Sequence, residues 1–124
     1  MIYLDTHIVV WLYSGDIGRL SNLSIALINE HDLFVSPIVI LELQYLYEIK
    51  RITKKASDVI ADLSNRIGLE VCNKDFINII TKATNLKWTR DPFDRIIVSN
   101  AALGGDVLVT KDQAMLNNYN NSKW

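Results

Sequence analysis

The sequence predicts an α/β fold in which a central, mainly parallel sheet of four to five strands is covered by helices on both faces. Short apolar runs alternate along the chain with longer segments that carry apolar residues at helical spacing. The chain has 124 residues, of which 49% are hydrophobic and 22% charged. This composition argues against a disordered chain, and the length suits a single domain over residues 1–124 with its own core.

The predicted strands are short, and the first, second and fourth are wholly apolar, as expected for strands buried on both faces. The strands are Ile2–Leu4, Leu33–Val35, residues 69–72, Val107–Val109 and residues 122–124.

The predicted helices begin at capping residues or prolines and end at glycines or polar turns. They comprise a helix that Asp5 or Thr6 caps and Gly15 ends, a helix after Ser21, residues 37–50, residues 57–67, residues 75–85, a helix from Pro92 to Gly104, and a short helix that begins at Lys111 and Asp112.

The helix that begins at Pro92 has acidic residues at its start and an apolar body. Asp91 is suited to cap it, and Asp94 falls at its third position, where the helix dipole favours negative charge. Taken alone, this pair is explained by capping. The positions of three other acids change that interpretation.

Four acids from distant segments are expected at one edge of the sheet. Asp5 follows the first strand directly, and Asp112 comes three residues after the end of the fourth. Glu42 lies in the helix that leaves the second strand, and Asp94 begins the helix that enters the fourth. In open parallel sheets, ligands bind at the carboxyl ends of the strands, which is where these acids would meet. Helix capping remains an alternative for Asp5 and Asp112.

Clustered carboxylates repel one another unless a cation neutralises them. Mg²⁺ or Mn²⁺ prefers oxygen ligands, and such a site activates water for phosphodiester hydrolysis. Other chemistries lack their residues: two histidines and one cysteine are too few for a zinc site, and there is no glycine-rich phosphate loop or nucleophile elbow.

The formal net charge of −1 argues against nucleic-acid binding through bulk charge, but not against a nuclease whose acids bind metal. Two basic clusters, Lys50 to Lys55 and Lys82 to Arg95, are either phosphate contacts or solvated helix ends. The lone Cys72 is expected to be a buried, inert thiol in a reducing compartment. With no apolar run long enough to span a membrane and no signal-like start, we expect a cytoplasmic protein without a membrane partner.

Four motifs together resemble the PIN domain, and more narrowly the VapC-type toxins of bacterial toxin–antitoxin pairs. They are Leu4-Asp5-Thr6-His7, Glu42, the segment of residues 90–95 and the segment of residues 108–112. The resemblance implies a single PIN domain, a three-layer α/β/α sandwich, and a Mg²⁺-dependent endoribonuclease (Mn²⁺ being an alternative) that cleaves RNA with metal-activated water. It further implies a homodimer and a cognate antitoxin that covers the active site.

Carried over to this chain, the resemblance assigns the acidic metal site to Asp5, Glu42, Asp94 and Asp112. Asp5 and Asp94 would be direct ligands.

Four supporting residues belong to the same motifs. Thr6 and Thr110 would hydrogen-bond the acids or the attacking water, and Asp91 would cap its helix. Arg95 would contact the scissile phosphate or form a salt bridge with Asp91. Trp11 and Trp88 are candidates for base stacking, with core packing as the alternative.

Two other functions fit part of the pattern. An aspartate-based phosphotransfer domain, either a phosphatase or a receiver-like module, would use Asp5, Thr110 and Lys111 but leaves Glu42 and Asp94 unexplained. A catalytically silent PIN-fold binding module would keep the fold without the activity.

Overall fold

A computed structural model describes all residues from 1 to 124. Its five strands form one sheet in the order β3-β2-β1-β4-β5, in which every neighbouring pair is parallel. The strands are β1 (Ile2–Leu4), β2 (Leu33–Val35), β3 (Glu70–Val71), β4 (Val107–Val109) and β5 (Ser122–Lys123). The predicted parallel sheet is therefore confirmed.

Seven α-helices and one 3₁₀ helix connect the strands. The α-helices are α1 (Thr6–Ser14), α2 (Asn22–Glu30), α3 (Pro37–Glu48), α4 (Ala56–Ile67), α5 (Phe76–Ala83), α6 (Pro92–Ala102) and α7 (Gln113–Asn118). All seven were predicted, whereas the 3₁₀ helix Ile17–Arg19 was not. None of the helices is both long and apolar enough to cross a lipid bilayer.

Strand β1 lies at the centre of the sheet and is covered on both faces. Its three residues, Ile2, Tyr3 and Leu4, point alternately to opposite faces, and none is more than 2% exposed. The helices therefore shield both faces of the sheet from solvent, as in a three-layer sandwich. Cys72 is buried against this core with a free thiol, as predicted.

Local capping explains where most helices begin and end. Asp5, Ser21, Ser36, Asp91 and Asp112 each accept a hydrogen bond from a backbone N–H in the first turn of the helix that follows. Glycines end α1 and α4.

Helix α3 ends two residues earlier than the sequence predicts. Lys50 adopts a left-handed backbone with a φ of 63°, which is incompatible with continuing the helix.

The register of the central strands sets up the functional edge. Leu4 of β1 pairs with Val109 of β4, so Asp5 and Thr110 each follow their strand by one residue at the same edge. The backbone N–H of Asp5 donates to the carbonyl of Val109 at 3.0 Å, which fixes the carboxylate beside the end of β4.

Candidate active site

Asp5 and Thr110 form the buried base of the site. The Oγ1 of Thr110 donates to Oδ2 of Asp5 at 2.7 Å, and the backbone N–H of Thr6 donates to Oδ1 at 2.8 Å. Asp5 is only 4% exposed and Thr110 is fully buried. The buried carboxylate is thus oriented by two donors, which offset the cost of removing it from water.

The same threonine connects β4 to Asp112. Its Oγ1 accepts from the backbone N–H of Asp112 at 3.0 Å, so one hydroxyl links the two acids. Asp112 is exposed, and its Oδ1 caps α7 by accepting from the N–H of Met115 at 2.9 Å. Asp112 therefore caps α7 with Oδ1, as the capping alternative predicted. Its carboxylate nevertheless lies at the acidic edge of the sheet.

Glu42 reaches the site from the middle of α3. Its Oε1 accepts a short hydrogen bond from the Oγ1 of Thr6, the fully buried first residue of α1. Since Thr6 is adjacent to Asp5, this bond brings α3 to the carboxyl end of β1. Both threonines therefore hydrogen-bond acids, as their predicted supporting role requires.

The start of α6 contributes two acids with different environments. Asp91 is exposed, and its Oδ1 accepts from the N–H groups of Phe93 and Asp94 at 2.9 and 3.3 Å, which confirms its interpretation as the helix cap. Asp94 is partly buried and has no hydrogen-bond donor to its side chain. Its carboxylate is therefore free of the capping role that the sequence offered for it.

The acids are close enough to perturb one another. The pKa of Asp94 rises from 3.8 to about 7. Burial is the largest cause, and repulsion from the carboxylates of Asp91, Asp5, Asp112 and Glu42 contributes the rest. Asp94 thus responds to all three other members of the predicted set, which places the four acids in one electrostatic cluster.

Asp5 and Glu42 are perturbed in the same direction. Burial raises the pKa of both carboxyl groups, and the threonine hydrogen bonds oppose that rise. Repulsion from Asp112 raises the pKa of Asp5 further, as repulsion from Asp5 does for Glu42. Such mutual perturbation of neighbouring acids is typical of functional sites.

The cluster suits a hard divalent cation rather than a closed metal cage. No three His, Cys, Asp or Glu side chains converge into a ready-made coordination shell. Mg²⁺ characteristically takes only one or two carboxylates and keeps several waters. An open cluster of mutually repelling carboxylates, without sulfur ligands, meets that requirement.

The expected salt bridge between Arg95 and Asp91 is wrong. Its Nε and Nη2 donate to the carbonyl of Leu86 at 3.0 and 2.6 Å, and it forms no salt bridge with Asp91. The two hydrogen bonds to one carbonyl oxygen connect α6 to the segment after α5. They supply this carbonyl, which lies outside any helix, with donors.

His7 contributes more than the sequence suggested. Its ring lies 6.2 Å from that of Trp11 between centroids. It also lowers the pKa of both Asp5 and Glu42 through its charge. Its position two residues after Asp5, on the first turn of α1, was the available signal.

Comparisons with known proteins support the fold. A family model described as the PIN domain matches residues 2–120. A crystal structure of VapBC2 from Rickettsia felis, bound to a DNA fragment from its promoter, aligns with a TM-score of 0.67 and 23% identity, covering 100% of this chain and 99% of the other. No curated protein matches the sequence.

Proposed function

Because this chain belongs to the PIN domain family, we propose that it is a Mg²⁺-dependent endoribonuclease and the toxin of a toxin–antitoxin pair. The observation that carries the proposal is the meeting of Asp5, Glu42, Asp94 and Asp112 from four separate segments. Burial, and then repulsion from the neighbouring acids, raises the pKa of Asp94 to about 7. A protein that had no use for these charges would gain stability by losing them.

The four acids would take two different roles toward the metal. Asp5 and Asp94 would hold it directly, and Glu42 and Asp112 would bind its waters or a second ion. When bound, Mg²⁺ lowers the pKa of water and stabilises the leaving oxygen of a phosphodiester. Mn²⁺ has the same preference for oxygen ligands and is expected to substitute.

The two buried threonines hold the acids in place. Thr110 orients Asp5 and the backbone of Asp112, and Thr6 orients Glu42. Because both hydroxyls are buried, these bonds are sheltered from competing water. The acids are therefore positioned before substrate arrives, which lowers the cost of assembling the site.

The proposed partners are an RNA substrate, a cognate antitoxin and a second copy of the chain. The structurally similar protein from Rickettsia felis is a VapBC2 complex, which supports an antitoxin for a chain of the same fold. The single, buried Cys72, which has no partner for an intramolecular disulfide, suits a cytoplasmic protein.

An aspartate-based phosphotransfer function fits the site less well. Such a function would use Asp5 with Thr110 and Lys111 and would leave Glu42 and Asp94 without a role.

Incubation of the purified protein with total cellular RNA tests the proposal. We expect discrete fragments with Mg²⁺, none with EDTA and none from Asp94→Asn. Asp58→Asn is the matched control, because Asp58 occupies the third position of α4 as Asp94 does in α6 but lies away from the site.

Cleavage by Asp94→Asn at the wild-type rate would refute the assigned role. If folded wild-type protein without antitoxin cut no RNA, the silent binding module would be the better description. A phosphodonor that labelled Asp5 would support phosphotransfer instead.

A further inference from the structure

Two indole rings beside the acidic site hold cations against their faces. The Arg19 Cζ lies 5.8 Å from the centre of the Trp11 ring, and the Lys111 Nζ lies 6.0 Å from it. Lys111 also lies 5.5 Å from the centre of the Trp124 ring, which contacts Trp11 edge to face at 6.1 Å. Cation–π contacts thus fix the positions of two otherwise flexible side chains.

These cations are only partly neutralised. Arg19 is paired with Asp16 at 2.7 Å, whereas Lys111 forms no salt bridge. Both side chains are exposed. A protein with a formal net charge of −1 therefore concentrates positive charge next to its carboxylates.

A surface cavity extends this positive surface. The cavity, of 370 Å³, lies between the end of α1 and the loop of residues 49–55. Arg51 and Lys54 line it together with Arg19 and Trp11, and Asp16 is the only acid in its wall. Two members of the basic cluster from Lys50 to Lys55, Arg51 and Lys54, thus share this cavity with the indole of Trp11.

The positive surface begins at the acidic site itself. Lys111 directly precedes Asp112. Trp11 follows Asp5 by six residues, which corresponds to about 9 Å of helix rise along α1. A polymer that reached from the acids across Trp11 into the cavity would follow one continuous surface.

We propose that Lys111, Arg19, Arg51 and Lys54 form a cationic track that binds the phosphates of the substrate RNA on one side of the scissile bond. The inference rests on the proposed function, because it names the occupant of the surface beside that site. RNA is favoured by charge complementarity, because its repeating phosphates match several separate cations. Since the net charge of the protein is slightly negative, binding of RNA has to come from such a local positive surface.

The salt dependence of RNA binding tests the track. Labelled single-stranded RNA is titrated with Asp94→Asn protein, which is expected not to cut it, at several KCl concentrations. Loss of two phosphate contacts in Arg51→Gln/Lys54→Gln should reduce the slope of log K against log salt by about 1.4 and weaken binding roughly tenfold at low salt. Lys111→Gln should reduce the slope by about 0.7, and Lys111→Arg should restore it.

Arg66→Gln/Lys123→Gln is the matched control, since it removes equal charge at two exposed positions that belong neither to the track nor to the basic cluster from Lys82 to Arg95. Equal changes in slope for the control and the track variants would overturn the proposal, because binding would then follow net charge alone. Unchanged RNA affinity in the track variants would also overturn it, and loss of binding to an acidic peptide in those variants would reassign the surface to a protein partner.

Cleavage kinetics separate failure of the track from failure of the nuclease proposal. In an active enzyme, the track variants should raise KM and leave kcat unchanged. Normal KM in these variants refutes the track while the nuclease stands. Absence of cleavage by wild type refutes the nuclease, and the salt slopes still decide whether the track binds RNA.

Discussion

Replacing Asp94 by asparagine should make the metal-free protein more stable while removing its activity. Burial and then the repulsion of neighbouring acids raise the pKa of Asp94 from 3.8 to about 7 in the folded state. The folded protein therefore binds this proton more tightly than the unfolded chain does. By linkage, stability is lost as the pH rises from about 4 to about 7, and the full penalty is present above that range.

The magnitude follows from the two pKa values. A difference between 3.8 and about 7 corresponds to at most about 4 kcal/mol. Because Asp94 is partly exposed, solvent screening reduces this to about 1–2 kcal/mol. Loss of the charge also forfeits about 0.3–1 kcal/mol of interaction with the dipole of α6. The net gain at pH 8 is about 1 kcal/mol, or a rise in Tm of roughly 3–6 °C.

Thermal unfolding of wild type, Asp94→Asn and Asp58→Asn in EDTA at pH 5 and pH 8 measures this effect. We expect Asp94→Asn to be the more stable at pH 8, with the difference shrinking toward pH 5. Asp58→Asn should lower the Tm slightly, because Asp58 has the dipole interaction without the acidic cluster. If Asp94→Asn melts below wild type at pH 8 and still cuts RNA, Asp94 is a structural helix residue and the reasoning fails.

Three further outcomes follow from the site. Mg²⁺ at about 100 times its Kd should raise the free energy of unfolding of wild type by about 2.7 kcal/mol in denaturant titrations. Asp94→Asn should lose most of that gain, and equal gains in the two proteins would place the metal elsewhere. Thr110→Val should cost about 1–3 kcal/mol in urea unfolding, because it leaves the buried Oδ2 of Asp5 without a donor, and Thr110→Ser should recover that stability. Asp91→Ala should lower stability by about 1 kcal/mol through loss of the cap, and full stability in that variant would contradict the capping role.

The sequence predicted the helices and strands well because their determinants are local. Pro92 and its neighbour Asp91 specify the start of α6 locally, and the apolar run Val107–Val109, which has a β-branched residue at each end, favours a buried strand. Convergence of the acids followed from the rule for parallel sheets, which needs only the order of elements.

The residues that sequence reasoning missed depend on distant partners. Arg95 binds the carbonyl of Leu86, and no spacing indicates which backbone oxygen a guanidinium will find. The contact of Lys111 with the Trp11 ring joins residues 100 apart in the chain. Neither can be inferred before the elements are packed in three dimensions.

The position of β1 between β2 and β4 has a consequence for protein synthesis. Asp5 leaves the ribosome before its partner Thr110, which follows 105 residues later. At about 5–20 residues per second, on the order of 5–20 s separate the two. A nascent chain that ends before Asp112 lacks part of the acidic edge. A protein that neutralises this edge by binding it therefore has its full target only once residues 107–112 have emerged.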